Sequence, residues 1–146
     1  MSADTQYADA HRVLSLLEQT CLAPNQMTTY GSLCIALGYK GETHARHVGQ
    51  VCSLIDAACF FAQLPFLSLE KVRRDDGEHN PDSFQKDWAP ARKALIQNAQ
   101  GRAWSVEDVA KIRRNLHNMN GESALLQWKR IEGFGQKGID RALGFK

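Results

Sequence analysis

An α+β fold, mostly helical, is the class this 146-residue sequence predicts: a winged helix-turn-helix with a small β-hairpin wing and a C-terminal helical extension. Three observations carry it. Between Met27 and Asn80 a short apolar-periodic segment, a glycine-marked turn and a longer periodic segment precede an alternating stretch that ends in Asp-Asp-Gly. From residue 82 onward apolar residues again return at helical spacing. A content of 43% hydrophobic and 23% charged residues is ordinary for a globular chain able to bury one core.

Residues 6–22 place Tyr7, Val13, Leu14, Leu16, Leu17 and Cys21 on one side of a helix, which Pro24 and Asn25 end. A hydroxyl at Thr28 or Thr29 can cap the next helix at Tyr30, with Leu33, Ile35, Ala36 and Leu37 as its apolar side and Gly38 as its stop. Gly38 and Gly41 bracket a turn, after which Thr43 can cap a helix from about His44 to Phe61. Val48, Val51, Cys52, Ile55, Cys59 and Ala62 form its buried stripe. His44, Arg46, His47 and Gln50 stand opposite that stripe at the helix start, and all can exchange hydrogen bonds. Such a helix suits a DNA groove, and it reads equally well as an amphipathic helix with a solvated face.

Leu64-Pro65 breaks the chain, and the alternation over Phe66–Arg73 predicts a half-buried strand. Asp75-Asp76-Gly77 follows as a hairpin turn with Gly77 at positive φ. Lys71, Arg73 and Arg74 then cluster at a wing, either to contact phosphates or to keep an edge strand from pairing. Residues 82–100 read as helical, with Phe84, Trp88, Ala91, Leu95 and Ile96 inward and a turn before Pro90. Ser105 and Asp108 form a capping pattern for a helix through Val106, Val109, Ile112 and Leu116, with Arg113 and Arg114 outward. Leu125, Leu126, Trp128 and Ile131 make a short helix, Gly133-Phe134-Gly135 a tight turn, and Ile139, Ala142 and Leu143 a last helix. That pair reads as a helix-hairpin-helix, whose backbone amides and Lys137 and Arg141 would hold a phosphate, or as a plain αα-hairpin with glycine caps.

The net charge of +2 is unevenly divided. Through Phe84 there are 6 Lys and Arg against 10 Asp and Glu, a net of −4; from Gln85 there are 12 against 6, a net of +6. The basic half is therefore the one suited to an anionic partner. We divide the chain into residues 1–84, the winged part, and 85–146, the basic extension. Cys21, Cys34, Cys52 and Cys59 lie in apolar helical contexts without C-x-x-C spacing, and the five histidines show no metal spacing. No metal, no cofactor and no membrane partner are expected. The N-terminus lacks the basic, apolar, small-residue order of a signal peptide, which makes a cytoplasmic location the expectation.

Thr28-Thr29-Tyr30-Gly31, Leu37-Gly38-Tyr39 and Ala45-Arg46-His47-Val48-Gly49, in that order, resemble the DNA-binding domain of alkylguanine-DNA alkyltransferases and of the catalytically silent alkyltransferase-like proteins. The likeness covers about residues 7–84. It implies that Tyr30 rotates a nucleotide out of the duplex and that Arg46 enters the gap left in the stack. The family carries its nucleophilic cysteine in a P-C-H-R-V segment. Here, aligned on Val72, the chain reads Ser68-Leu69-Glu70-Lys71-Val72, and no cysteine follows Cys59. Alkyl transfer needs a thiolate beside a base, so no catalytic residue is assigned. The Cys59–Leu64 connection also runs longer than in the family.

The expected function is a non-catalytic DNA-binding protein that recognises distorted, damaged or modified duplex DNA in bacterial or phage repair or defence. Its partners would be double-stranded DNA and a repair or defence protein. The DNA-binding residues assigned are Thr29, Tyr30, His44, Arg46, His47, Gln50, Lys71, Arg73, Arg74, Lys137 and Arg141. Two alternatives come from other classes. One is a protein-interaction module or regulator that binds a nuclease or other protein. The other is a small nuclease using acids among Glu70, Asp75, Asp76 and Asp82, although these lack a recognisable paired-carboxylate-plus-lysine spacing.

Overall fold

A computed structural model describes residues 3–40, 44–79, 86–119 and 121–146. Its described part is mostly helical, with one small parallel sheet of two strands. In chain order the elements are α1 (Ala3–Thr20), β1 (Thr28–Thr29), α2 (Tyr30–Ala36), α3 (Ala45–Phe61), α4 (Leu67–Lys71), β2 (Val72–Arg73), a 3-10 turn (Lys86–Ala91), α5 (Arg92–Ala99), α6 (Val106–Asn118), α7 (Ala124–Glu132) and α8 (Gly135–Leu143). No described helix is long and apolar enough to cross a membrane.

The core is organised on α3. Beyond the expected stripe, Leu54, Ala57, Ala58 and Phe60 are also buried, so from His47 to Phe60 nearly every side chain is covered. A helix apolar all round is a central helix. Helices α1, α2, α4, α6 and α7 pack against it. Asn115 of α6 donates to Ala58 O at 3.1 Å and Trp128 Nε1 of α7 to Ser53 O at 2.7 Å. At its far end Phe66, Trp88 and Trp128 pack with ring centroids 5.8–6.4 Å apart. One hydrophobic cluster thus runs from Ala10 to Ala142, through both the 1–84 and the 85–146 segments.

Local signals are realised where local chemistry suffices. Thr29 caps α2 by accepting from Ser32 N at 3.1 Å. Gly38, at φ +85°, ends that helix, with Tyr39 N donating to Cys34 O. Ser105 and Asp108 form a reciprocal capping box at α6. Other expectations are corrected. On α2, Ile35 is 77% exposed and Ala36 is also outward, whereas Cys34 joins Leu33 and Leu37 in the core. Val106, Leu125 and Leu126 are outward too, leaving Val109, Ile112 and Leu116 on α6 and Trp128 and Ile131 on α7 as the inward residues. The expected Thr43 cap and the inward Phe84 lie outside the described residues.

The largest correction concerns the expected strand over Phe66–Arg73. Its first part is helix α4, and only Val72–Arg73 is extended. Those two residues pair in parallel with Thr28 and Thr29, not in an antiparallel hairpin. The cause is Asp56 of α3. Its carboxylate accepts from Ser68 N at 2.9 Å and also from Leu69 N, while Ser68 Oγ donates to Cys52 O at 2.9 Å. These bonds satisfy amides that open a helical turn, so the segment coils despite its alternating pattern. The turn after β2 does form: Gly77 N donates to Arg74 O, Arg74 N to Glu78 O, and Gly77 sits at φ +86°. No return strand occurs among the described residues up to His79.

Asp56 sets a pH dependence. Burial pushes its carboxyl up to about 7, against the bonds from Ser68 and Leu69 that pull it down. An acid with a raised folded-state pKa binds a proton in the folded chain that the unfolded chain has released, so its contribution to stability falls as pH rises from about 4 to about 7. Asp56→Asn keeps an acceptor oxygen and should flatten that fall in thermal unfolding, relative to the wild type. Asp56→Ala should cost about 1–3 kcal/mol at every pH, because it leaves α4's amides unsatisfied.

Candidate nucleic-acid interface

The start of α3 is fixed from behind by one carboxylate. Asp9 of α1 accepts from Tyr39 Oη in the α2–α3 turn, contacts His47 Nε2 of α3 at 2.7 Å, and accepts from Arg12 at 3.2 Å. Burial alone would push this carboxyl up; the Tyr39 and His47 bonds, with the His47 and Arg12 charges, bring it below its usual range. Tyr39 is raised in turn, first through its bond to Asp9 and then through burial. Arg12 also donates to Leu37 O at 3.3 Å, at the end of α2. His44 lies flat on the Tyr39 ring, with centroids 4.5 Å apart and planes 11° from parallel, and His47 meets the same ring edge-on at 5.5 Å. Helix α1 therefore grips the end of α2, the turn and the first turns of α3 together.

These contacts sort the residues expected on the open side of α3. His47 is buried and belongs to the Asp9 network. Gln50 is half-buried, and its Oε1 accepts from Gln6 Nε2 at 3.0 Å, while Gln6 Oε1 accepts from Ala124 N of α7. His44 is half-buried under its stacking contact. Arg46 stands exposed on the first turn of α3, without a partner among the described residues.

The α2 start and the turn after β2 are neighbours. Tyr30 is half-buried against the core. Gly31 N donates to Asp75 Oδ1 at 3.1 Å, and a Cβ at Gly31 would meet that carboxylate at 2.7–2.9 Å, so a larger residue there would push the Asp75 side chain aside. The parallel pairing of Thr29 with Arg73 places Thr29, Tyr30 and the Arg73–Gly77 turn on one patch.

The cations expected at a wing differ from one another. Lys71, expected at the surface, is 1% exposed. Its ammonium donates to Ala23 O at 3.0 Å and lies 3.3 Å from Glu70, which is equally buried. The expected strand and hairpin put Lys71 at a wing beside Arg73 and Arg74, whereas the helical turn of α4 carries it into the core. Arg73 is half-buried and donates to Glu70 O and Gly77 O at 3.1 and 3.5 Å. Arg74 is exposed and pairs with Asp76 at 3.0 Å.

Lys137 and Arg141 are exposed on α8 at the other end of α3, where Arg141 lies over the Phe60 and Phe134 rings at 5.1 and 5.3 Å. Phe60 follows Arg46 by fourteen positions, roughly 21 Å along a helix axis. Two hairpin amides are already engaged: Gly133 N donates to Lys129 O and Phe134 N to Ile131 O. The structure thus brings together Thr29, Tyr30, Arg73 and Arg74, sets Arg46 at the turn held by Asp9, and keeps the α8 cations apart.

Sequence reasoning missed Asp9, Arg12 and Tyr39. The only local signal was an aspartate beside Ala10 on the buried face of α1. Among the described residues no group of three or more histidine, cysteine, aspartate and glutamate side chains is placed to hold a metal ion. Compared with protein families, with curated proteins and with solved structures, the chain matches none.

The burial of Lys71 generates a test. Lys71→Met should leave Glu70 as an uncompensated buried charge and destabilise the fold by about 3–5 kcal/mol. The double variant Glu70→Gln, Lys71→Met should recover most of that loss in denaturant titrations.

Proposed function

We propose that the chain is a non-catalytic DNA-binding protein that recognises distorted, damaged or modified duplex DNA, in repair or defence. In this reading α2, the Leu37–His44 connection and α3 act as a helix-turn-helix of the alkyltransferase-like kind, and the Arg73–Gly77 turn acts as a short wing. The observation that carries it is Arg46: an exposed cation, unpaired among the described residues, at the start of a helix otherwise locked in the core. Such a side chain is presented by a rigid element, which is what insertion into a duplex needs. Tyr30, at the first position of α2, supplies the ring that displaces the nucleotide. Arg73 and Arg74 anchor phosphates beside it, and Lys71 takes no part.

The reading excludes alkyl transfer on two grounds. Leu69 stands where the resembled family has its nucleophile, and it is buried. All four cysteines are buried, and burial together with the Asp56 charge pushes the Cys52 and Cys59 thiols up, away from the reactive thiolate. Incubation with alkylated duplex should leave the intact mass of the chain unchanged; a stoichiometric gain on one cysteine would overturn this part.

A second reading, a regulator that binds a nuclease or another protein, is favoured by one observation. Ile35, 77% exposed on α2, projects from the same region as Arg46 in sequence but has no role in holding DNA. Ile35→Lys should abolish a protein complex while leaving duplex affinity in place.

Duplex affinity should fall steeply with salt. Each phosphate contact adds about 0.9 to the slope of log affinity against log salt, so a few contacts give a slope of roughly −3 to −6. The sharper test compares two duplexes. Arg46→Ala should weaken binding to a duplex with a mismatch or bulky base more than binding to plain duplex, because a poorly stacked base flips more cheaply. Tyr30→Ala should weaken the same preference and Tyr30→Phe should leave it. If Arg46 only touches a phosphate, both affinities will drop alike and the slope will shrink by about one.

A further inference from the structure

The α1–α6 face carries a cluster of cations that the reading above does not use. On α6, Ala110, Arg113, Arg114 and His117 follow one another at three- and four-residue spacing, and with Asn118 they line a cleft of about 630 Å³ closed on the other side by His11 of α1. A second cleft of about 430 Å³ continues from His11 past Arg12, Ser15 and Gln19 to Ala36 at the end of α2. Among the described residues no carboxylate lines either one.

Among the described residues, the charged and titratable groups lining these clefts are His11 and Arg12 from α1 and Arg113, Arg114 and His117 from α6, with Glu18 of α1 bonded to Arg113; α2 contributes only Ala36. The two nearby acids are already committed. Glu18 accepts from Arg113 at 3.2 Å, where Ser15 also accepts from it, and Asp9 accepts from Arg12. Arg114, His117 and His11 have no hydrogen-bond or ion-pair partner among the described residues. Burial, then the Arg113 and His117 charges, hold the His11 imidazole below the usual histidine range. An anion seated beside it would offset both effects and favour its protonated form.

We propose that this cleft binds a phosphate group, whose oxygens accept from Arg114, His117 and His11. Guanidinium and imidazole N–H donors lining one cleft of this size are the chemistry that holds a phosphate monoester or a strand phosphodiester. The proposal does not depend on α3 entering DNA. Arg113 positions the wall through Ser15 and Glu18, and the unpaired groups on either side of it do the binding.

The test follows the imidazole resonances of His11 and His117 by NMR during pH titrations in orthophosphate and in chloride of equal ionic strength. Orthophosphate should raise the His11 titration midpoint and shift both imidazoles in a saturable way. Arg114→Gln with His117→Gln, two exposed changes whose folding is checked by circular dichroism, should weaken that binding roughly tenfold or more. A parallel titration with a short plain duplex identifies the source of the phosphate. His11 shifts that orthophosphate competes away assign it to a strand. A response to orthophosphate alone assigns it to a free phosphate ester. Identical His11 titrations in phosphate and chloride together with no response to duplex, or a double variant that binds as tightly as the wild type, would overturn the site. Loss of duplex binding by Arg46→Ala has no bearing on the orthophosphate result, so this proposal and the DNA reading can fail separately.

Discussion

The burial of α3 on every side is the constraint on which the rest of the structure depends. A helix covered from His47 to Phe60 needs neighbours all round, and α1, α2, α4, α6 and α7 supply them. This explains why the basic C-terminal half and the acidic N-terminal half cannot hold separate cores: Ala58 O and Ser53 O take donors from α6 and α7. It also limits what α3 can show to a partner. Its fully exposed residues lie at its ends, with Ala45 and Arg46 at the start and Phe61 at the close, while Gly49, Gln50 and Ser53 between them are half-buried. Of the two ends, the start carries a charge, Arg46, that has no partner among the described residues.

Two buried carboxylates turn that packing into a defined geometry. Asp56 holds α4 against the middle of α3 and so aims β2 at the start of α2. Asp9 ties α1 to Tyr39 and His47 and so fixes the connection between α2 and α3. Each is buried and accepts hydrogen bonds from donors on other elements, which fixes where those elements sit; the bonds and charges around Asp9 favour its ionised form, whereas burial opposes that of Asp56. The patch formed by Thr29, Tyr30 and the Arg73–Gly77 turn depends on the first carboxylate, and the placement of Arg46 on the second.

What could be read from the chain was what neighbouring residues decide. The Ser105–Asp108 capping box, the Thr29 cap, Gly38 as a stop and Gly77 in its turn all act within four positions, and each was legible. The α4 turn was not, because its amides are satisfied by Asp56, twelve positions before Ser68. Lys71 followed from that error: an extended hairpin would set it among the cations of a wing, whereas the helical turn carries its ammonium to Ala23 O, forty-eight positions away. His47 misled for a related reason. At the start of an apolar-striped helix a histidine reads as polar surface, and only the fold of α1 across it reveals Asp9. The division of the candidate residues into exposed members, such as Arg46 and Arg74, and structural ones, such as His47 and Lys71, was thus written in long-range contacts.

Amide chemical-shift mapping of the full chain with a mismatched duplex at low salt tests the central claim that the start of α3 is the surface DNA meets. The account requires saturable shifts concentrated at Thr29–Ser32, His44–Gln50 and Arg73–Gly77, with the α8 amides around Lys137 and Arg141 little changed. Shifts confined to α7 and α8, or no shifts at all, would contradict it.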